Sequence, residues 1–230
     1  MKKYKKISSQ LAYNPTEEIL TGEDPSPTFC AYPWHHSYQG CRYERKLCCI
    51  SEDAPLDTKL TTKKWWNGEY MKTVRRKMLK GKEVAECHNC YRDEKLGISS
   101  LREQCNSQQY KHFDDWLENT NKDGSVTNKV RPTFYDYRTI HCNLQCVSCG
   151  EAYSSTWQNL NEDMFDIEPK FKPDYVYEET MAKEIIHGLN SKTTKFIYWA
   201  GGEPFMQPLH WKVIEHMTEL HKMKGYTEYI

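Results

Sequence analysis

Apolar positions recur at helical spacing in three parts of the chain. Over residues 208–223, Leu209, Val213, Met217 and Leu220 fall on one face. Over residues 174–189, Met181, Ile185 and Ile186 are predicted to turn inward. Over residues 67–80, Tyr70, Val74, Met78 and Leu79 lie on one side, with Lys72, Arg75, Arg76 and Lys77 elsewhere as a solvated basic face. Residues 131–138 are aromatic and β-branched, with Pro132 at their start, and predict a strand. Residues 195–200 form a compact apolar run that reads as a buried strand. A short helix is expected over 151–160, and 226–230 reads as the start of a further strand.

Two segments carry chemistry at the ends of these strands. After the first comes Cys142-Asn143-Leu144-Gln145-Cys146-Val147-Ser148-Cys149, a C-x3-C-x2-C loop. Three thiolates on one loop can hold three irons of a four-iron cluster and leave the fourth open, the arrangement of a reactive centre rather than a closed structural one. A zinc site completed by His141 or a distant cysteine is the alternative on spacing alone. The second strand ends in Gly201-Gly202-Glu203-Pro204, where two glycines let the backbone approach a ligand and Glu203 offers a charge suited to an ammonium group. Strand, loop and helix are the opening of a βα unit, and α/β folds bind ligands outside the carboxyl ends of their strands.

This pairing of motifs resembles the radical S-adenosylmethionine (SAM) enzymes. The resemblance implies that Cys142, Cys146 and Cys149 bind a 4Fe–4S cluster. It also implies that SAM chelates the fourth iron while Gly201, Gly202, Glu203 and Pro204 contact its amino group. One electron would then cleave SAM to methionine and a 5′-deoxyadenosyl radical. Where the family usually has an aromatic residue before the third cysteine, this chain has Ser148.

The remaining seven of the ten cysteines lie in the amino-terminal half, where the basic start Met1-Lys2-Lys3 is followed by no apolar secretory run. A cytoplasmic chain is therefore expected, in which many cysteines point to metal. Cys87 and Cys90 form a C-x2-C knuckle; with Cys30 and one of Cys48 and Cys49 they supply four thiolates, enough for a cluster or a zinc site. His35 and His36, beside Trp34, read as packing. This half resembles the twitch module, a short relative of the SPASM domain. The resemblance rests on Phe29-Cys30, Pro33-Trp34, Cys48-Cys49, the knuckle, and Glu94, Gly97, Ser100 and Arg102 behind it. It implies an auxiliary 4Fe–4S cluster on Cys30, Cys48, Cys87 and Cys90, with Cys49 as the alternative to Cys48. Gly40 is followed by a longer insert than the family carries, and Cys41 and Cys105 read as ordinary thiols.

Composition narrows the class. The 230 residues carry a net charge of +0, which argues against nucleic acid as a partner. Mean hydropathy is −0.88, and no run approaches the roughly 20 apolar residues of a membrane helix. The polar segment 119–128 reads as a linker between a module at 1–118 and a partial barrel at 129–230. The expected fold is thus α/β: a small cysteine-rich α+β module of twitch or SPASM type, then the first two βα units of a (β/α)6 radical SAM barrel. A chain stopping partway round the barrel is expected from a truncated gene, a split protein or a fragment. Alone, it is expected to bind cluster but turn over SAM poorly. Expected partners are SAM, a peptide or small-molecule substrate, an electron donor and a second chain completing the barrel. The alternative is a non-catalytic iron–sulfur or zinc-binding relative.

Overall fold

The computed structural model describes residues 24–54, 59–169 and 171–224. In chain order the elements are α1 (Tyr32–His35), β1 (His36–Gln39), β2 (Arg45–Lys46), α2 (Thr62–Trp66), α3 (Glu69–Leu79), α4 (His88–Lys95), α5 (Leu101–Gln109), α6 (Phe113–Glu118), β3 (Phe134–Thr139), α7 (Ser155–Phe165), α8 (Tyr175–Asn190), β4 (Phe196–Gly201) and α9 (Pro208–Lys224). The chain is mixed α/β and divides into two compact units. The first holds the described residues up to His35, with Ile50–Glu52 and Asn67–Val130; the second holds His36–Cys49, Asp53–Trp66 and the residues from Arg131 on.

This division departs from the one expected. The predicted linker, 119–128, is a hydrogen-bonded turn of the first unit. Asn121 N–H donates to Ser125 O at 2.8 Å, and the Asn67 side chain pairs both ways with the Val126 backbone at 2.9 Å. Gly124 adopts φ 85°, and a Cβ there would stand 2.0 Å from Lys72 O, so only glycine closes this turn. The residues from 36 to 49 and from 53 to 66, expected in the amino-terminal module, belong to the second unit instead.

In the first unit, α3 buries Met71, Val74 and Met78, while Tyr70 and Leu79 are only half-buried. Arg75 corrects the reading of a wholly solvated basic face. It is fully buried, its Nε donates to Pro33 O at 2.9 Å, and its guanidinium lies 6.0 Å from the Trp34 ring. A guanidinium can leave water when a carbonyl takes its N–H and an aromatic face takes its plane. Phe29 packs at 4.8 Å against both Trp34 and Phe113. Helix α5 opens with a capping box in which Ser100 and Glu103 satisfy each other's backbone N–H.

The second unit is built on a four-stranded sheet of order β2-β1-β3-β4. Strands β1, β3 and β4 are parallel, and β2 returns antiparallel beside β1. The register pairs His36 with Phe134 and Phe134 with Phe196, and ends with Thr139 opposite Gly201. Helices α8 and α9 cover one face. Met181, Ile185, Leu189, Leu209 and Val213, each 4% exposed or less, pack with Tyr135 and Tyr137, against which Ile197, Trp199, Ile186 and Met217 close. The helical periods of α8 and α9 thus mark their buried faces as expected.

Strand β4 is not the buried strand expected from its composition. Among the described residues it lies at the edge of the sheet, and the two-residue alternation of a sheet sends Phe196 (56% exposed) and Tyr198 (46%) to the face opposite α8 and α9. The helix expected at 151–160 starts later, at Ser155, because Ser154 caps it by accepting from Trp157 N–H. The strand expected at 226–230 lies outside the described residues.

Candidate metal and cofactor centre

The parallel register brings the carboxyl ends of β3 and β4 together, and with them the two motifs. Gly202 N–H donates to Thr139 O and Glu203 N–H to His141 O, both at 2.7 Å. The glycines are required by this approach. A Cβ on Gly201, which holds φ 99°, would lie 2.3 Å from Thr139 O; one on Gly202 would lie 2.3 Å from His141 O and 3.1 Å from the Cys142 Cβ. Glu203 is half-buried, and its carboxylate accepts Phe205 N–H at 3.1 Å.

The cysteine loop is anchored at its first residue and open at its tip. Ser155, opening α7, accepts Cys142 N–H at 3.1 Å and donates back to Cys142 O at 3.2 Å; Thr156 Oγ1 also donates to that carbonyl. Ser154 Oγ donates to Leu144 O at 3.0 Å, and Trp157 Nε1 to Cys146 O at 3.1 Å. Leu144 N–H points at Cys142 Sγ from 3.3 Å, and the same sulfur lies 3.6 Å from Leu144 O. Cys142 and Cys149 are half-buried and Cys146 is exposed, with Val147 beside it 97% exposed. The helix after the loop therefore holds the loop's backbone and leaves its sulfurs accessible.

His141 is tied to α8 through one ring nitrogen. Its Nε2 lies 3.2 Å from an oxygen of the buried Glu178 on α8, which also accepts the Tyr43 hydroxyl at 2.8 Å. Cys41, at the carboxyl end of β1, is buried, and its thiol donates to Thr139 O at 3.2 Å. Burial, and after it the Glu44 carboxylate, push that thiol up to about 12, so it stays protonated. Glu178 and Ser155 escaped sequence reading, Glu178 because it joins the centre only through packing of α8 against the strand end and Ser155 because a lone serine opening a helix carries no local signal; Cys41 is the ordinary buried thiol expected.

The second cysteine set does not fall within one unit. Cys30, Cys87 and Cys90 lie in the first and are buried; Cys48, buried, and Cys49, exposed, lie in the second. Within the first unit, Cys87 caps α4 and Cys90 sits in its first turn. Burial, and after it Cys87, raises the Tyr91 phenol. Burial raises Cys90, and the backbone N–H of Arg102 works against it. The Arg102 guanidinium is itself fixed by Glu94, with Nε to Oε1 at 2.8 Å.

Among the described residues, no three His, Cys, Asp or Glu side chains stand close enough to hold a metal ion. The donor sets still suit one chemically, because thiolates repel one another until a cation joins them and the binding energy of the metal completes such sites. Also among the described residues, no helix is long and apolar enough to cross a membrane. Compared with family models, curated proteins and solved structures, the chain matches none.

Proposed function

We propose that the chain is a radical SAM protein, with the second unit forming the opening part of a partial (β/α)6 barrel and a twitch-like auxiliary cluster on the amino-terminal cysteines. One observation carries the reading: the C-x3-C-x2-C loop and the Gly-Gly-Glu segment follow the carboxyl ends of adjacent parallel strands, and Glu203 N–H bonds the carbonyl of His141, the residue just before the loop. Parallel pairing thus carries two motifs 59 residues apart, counted from Cys142 to Gly201, to the strand ends where α/β folds bind ligands.

Cys142, Cys146 and Cys149 would hold a 4Fe–4S cluster, and Gly201, Gly202, Glu203 and Pro204 the amino group of SAM. When bound, the reduced cluster supplies one electron to the sulfonium of SAM. The chain's own part is to orient. Ser155 and Thr156 fix the Cys142 backbone, Leu144 N–H points at its sulfur, and Glu203 N–H sets its strand end against His141. Cys30, Cys87 and Cys90, with Cys48 or Cys49, would hold the auxiliary cluster. Further strands of the barrel would pair along the outer edge of β4, which carries no partner strand among the described residues. The substrate would be a peptide or small molecule, and an external donor would supply the electron.

Anaerobic reconstitution tests this. About eight irons with matching sulfide, two four-iron clusters' worth, and 5′-deoxyadenosine released from SAM under reductant support it. About one or two zincs without acid-labile sulfide overturn it in favour of a non-catalytic zinc protein.

A further inference from the structure

The face of the sheet turned away from α8 and α9 carries an ordered row of charged and aromatic side chains. Asp136 and Arg138, two residues apart on β3, share this face. Arg138 Nε donates to Asp136 Oδ1 at 2.9 Å and Nη2 to Oδ2 at 3.2 Å, a two-pronged pairing. The guanidinium is flanked by two rings from neighbouring strands, Tyr38 of β1 at 5.3 Å and Tyr198 of β4 at 5.6 Å. Tyr38 is buried, whereas Tyr198 is half exposed.

The pair is asymmetric. The Asp136 side chain is 5% exposed and that of Arg138 25%, so the negative end points inward and the positive end outward. Asp136 occupies the Nε–Nη2 edge of the guanidinium. Its other edge, formed by Nη1 and the second Nη2 hydrogen, receives no acceptor among the described residues. Two rings and a carboxylate thus fix a planar fork on a partly exposed side chain, one residue before Thr139, whose carbonyl holds the Gly-Gly-Glu segment.

We propose that Arg138 recognises a carboxylate group of the substrate at the part of this face left accessible beside Tyr198; the assignment rests on the reading of the strand ends as the reaction site. A planar carboxylate matches two parallel N–H donors. A phosphate dianion matches less well, because Asp136 has already neutralised one unit of charge. The carboxylate could come from a small dicarboxylic acid or from an acidic side chain in a peptide.

The test uses the full chain without cluster, labelled with nitrogen-15, and follows the Nε–H resonance of Arg138, identified by its loss in Arg138→Lys. Glutarate, N-acetyl-Ala-Glu-Ala-amide and inorganic phosphate are titrated separately. A saturable shift with glutarate or the peptide, at least threefold tighter than with phosphate, is expected, and the tighter of the two names the source. Asp136→Asn, which removes the competing charge, should tighten carboxylate binding about threefold or more; Tyr198→Leu should weaken it about threefold through loss of the flanking ring. Absence of a saturable shift up to about 50 mM, tighter binding of phosphate, or an unchanged affinity in Asp136→Asn would overturn the proposal. Because no cluster is present, such a failure leaves the iron and sulfide result standing, and failure of reconstitution leaves the titration readable.

Discussion

The backbone N–H of Glu203 donates to the carbonyl of His141 across 2.7 Å, joining the residue before the first loop cysteine to the acidic residue of the Gly-Gly-Glu-Pro segment. Neighbouring bonds repeat the link: Gly202 N–H to Thr139 O, and His141 N–H to Thr139 Oγ1 at 3.0 Å. The relative position of the motifs is therefore set by main-chain atoms, and only residues without a side chain tolerate it.

Gly201→Ala should destabilise the protein by about 2–4 kcal/mol, since a Cβ must bear both a left-handed φ and a clash with Thr139. Urea unfolding measures this. An unchanged midpoint would mean that the strand ends are not in close contact.

Ser155→Ala removes both hydrogen bonds between that hydroxyl and the Cys142 backbone. Its global cost should be about 1 kcal/mol, while exchange of the Cys142 amide hydrogen accelerates about tenfold. Equal protection in the variant and the parent would show that the loop is held by something else.

His36 gives the stability a pH dependence. Burial lowers it from 6.5 to about 4; its Nδ1–H donates to Leu47 O at 3.2 Å, which offsets burial in part. The unfolded chain then binds a proton at a pH where the folded chain does not. Stability is full above about 6.5 and falls as pH drops towards 4, by up to roughly 3 kcal/mol. Denaturation midpoints across this window should slope in the parent, and the slope should shrink in His36→Gln.

Cysteine substitutions separate the two proposed clusters. Cys146→Ala should lose about four of about eight irons and all 5′-deoxyadenosine formation; Cys87→Ala should lose the other four. Loss of all iron from either variant would sink the two-site assignment.

Glu203→Ala should leave iron content unchanged while weakening SAM binding about tenfold, the effect of deleting one charged hydrogen-bond partner. Equilibrium dialysis of labelled SAM reads it, and an unaltered affinity would remove Glu203 from the site.

Helices α8 and α9, strands β3 and β4, the cysteine loop and the Gly-Gly-Glu-Pro end were legible in the sequence. Their signals are local: an apolar period, a β-branched run, a spacing of thiols. Strand β1 was not. His36-Ser37-Tyr38-Gln39 has no apolar alternation, and it becomes a strand only because β3 and β2 offer it hydrogen bonds on both sides. Arg75 read as solvated because charge is the local signal, whereas its burial depends on Pro33 and Trp34 lying above it. The same limit applies to β4, whose apolar composition does not reveal which of its faces a helix will cover. Composition and spacing alone thus determined which side chains could do chemistry here. Tertiary structure alone decided which of them meet, because parallel pairing joins strand ends that lie 62 residues apart, from Thr139 to Gly201, and no local pattern encodes that register.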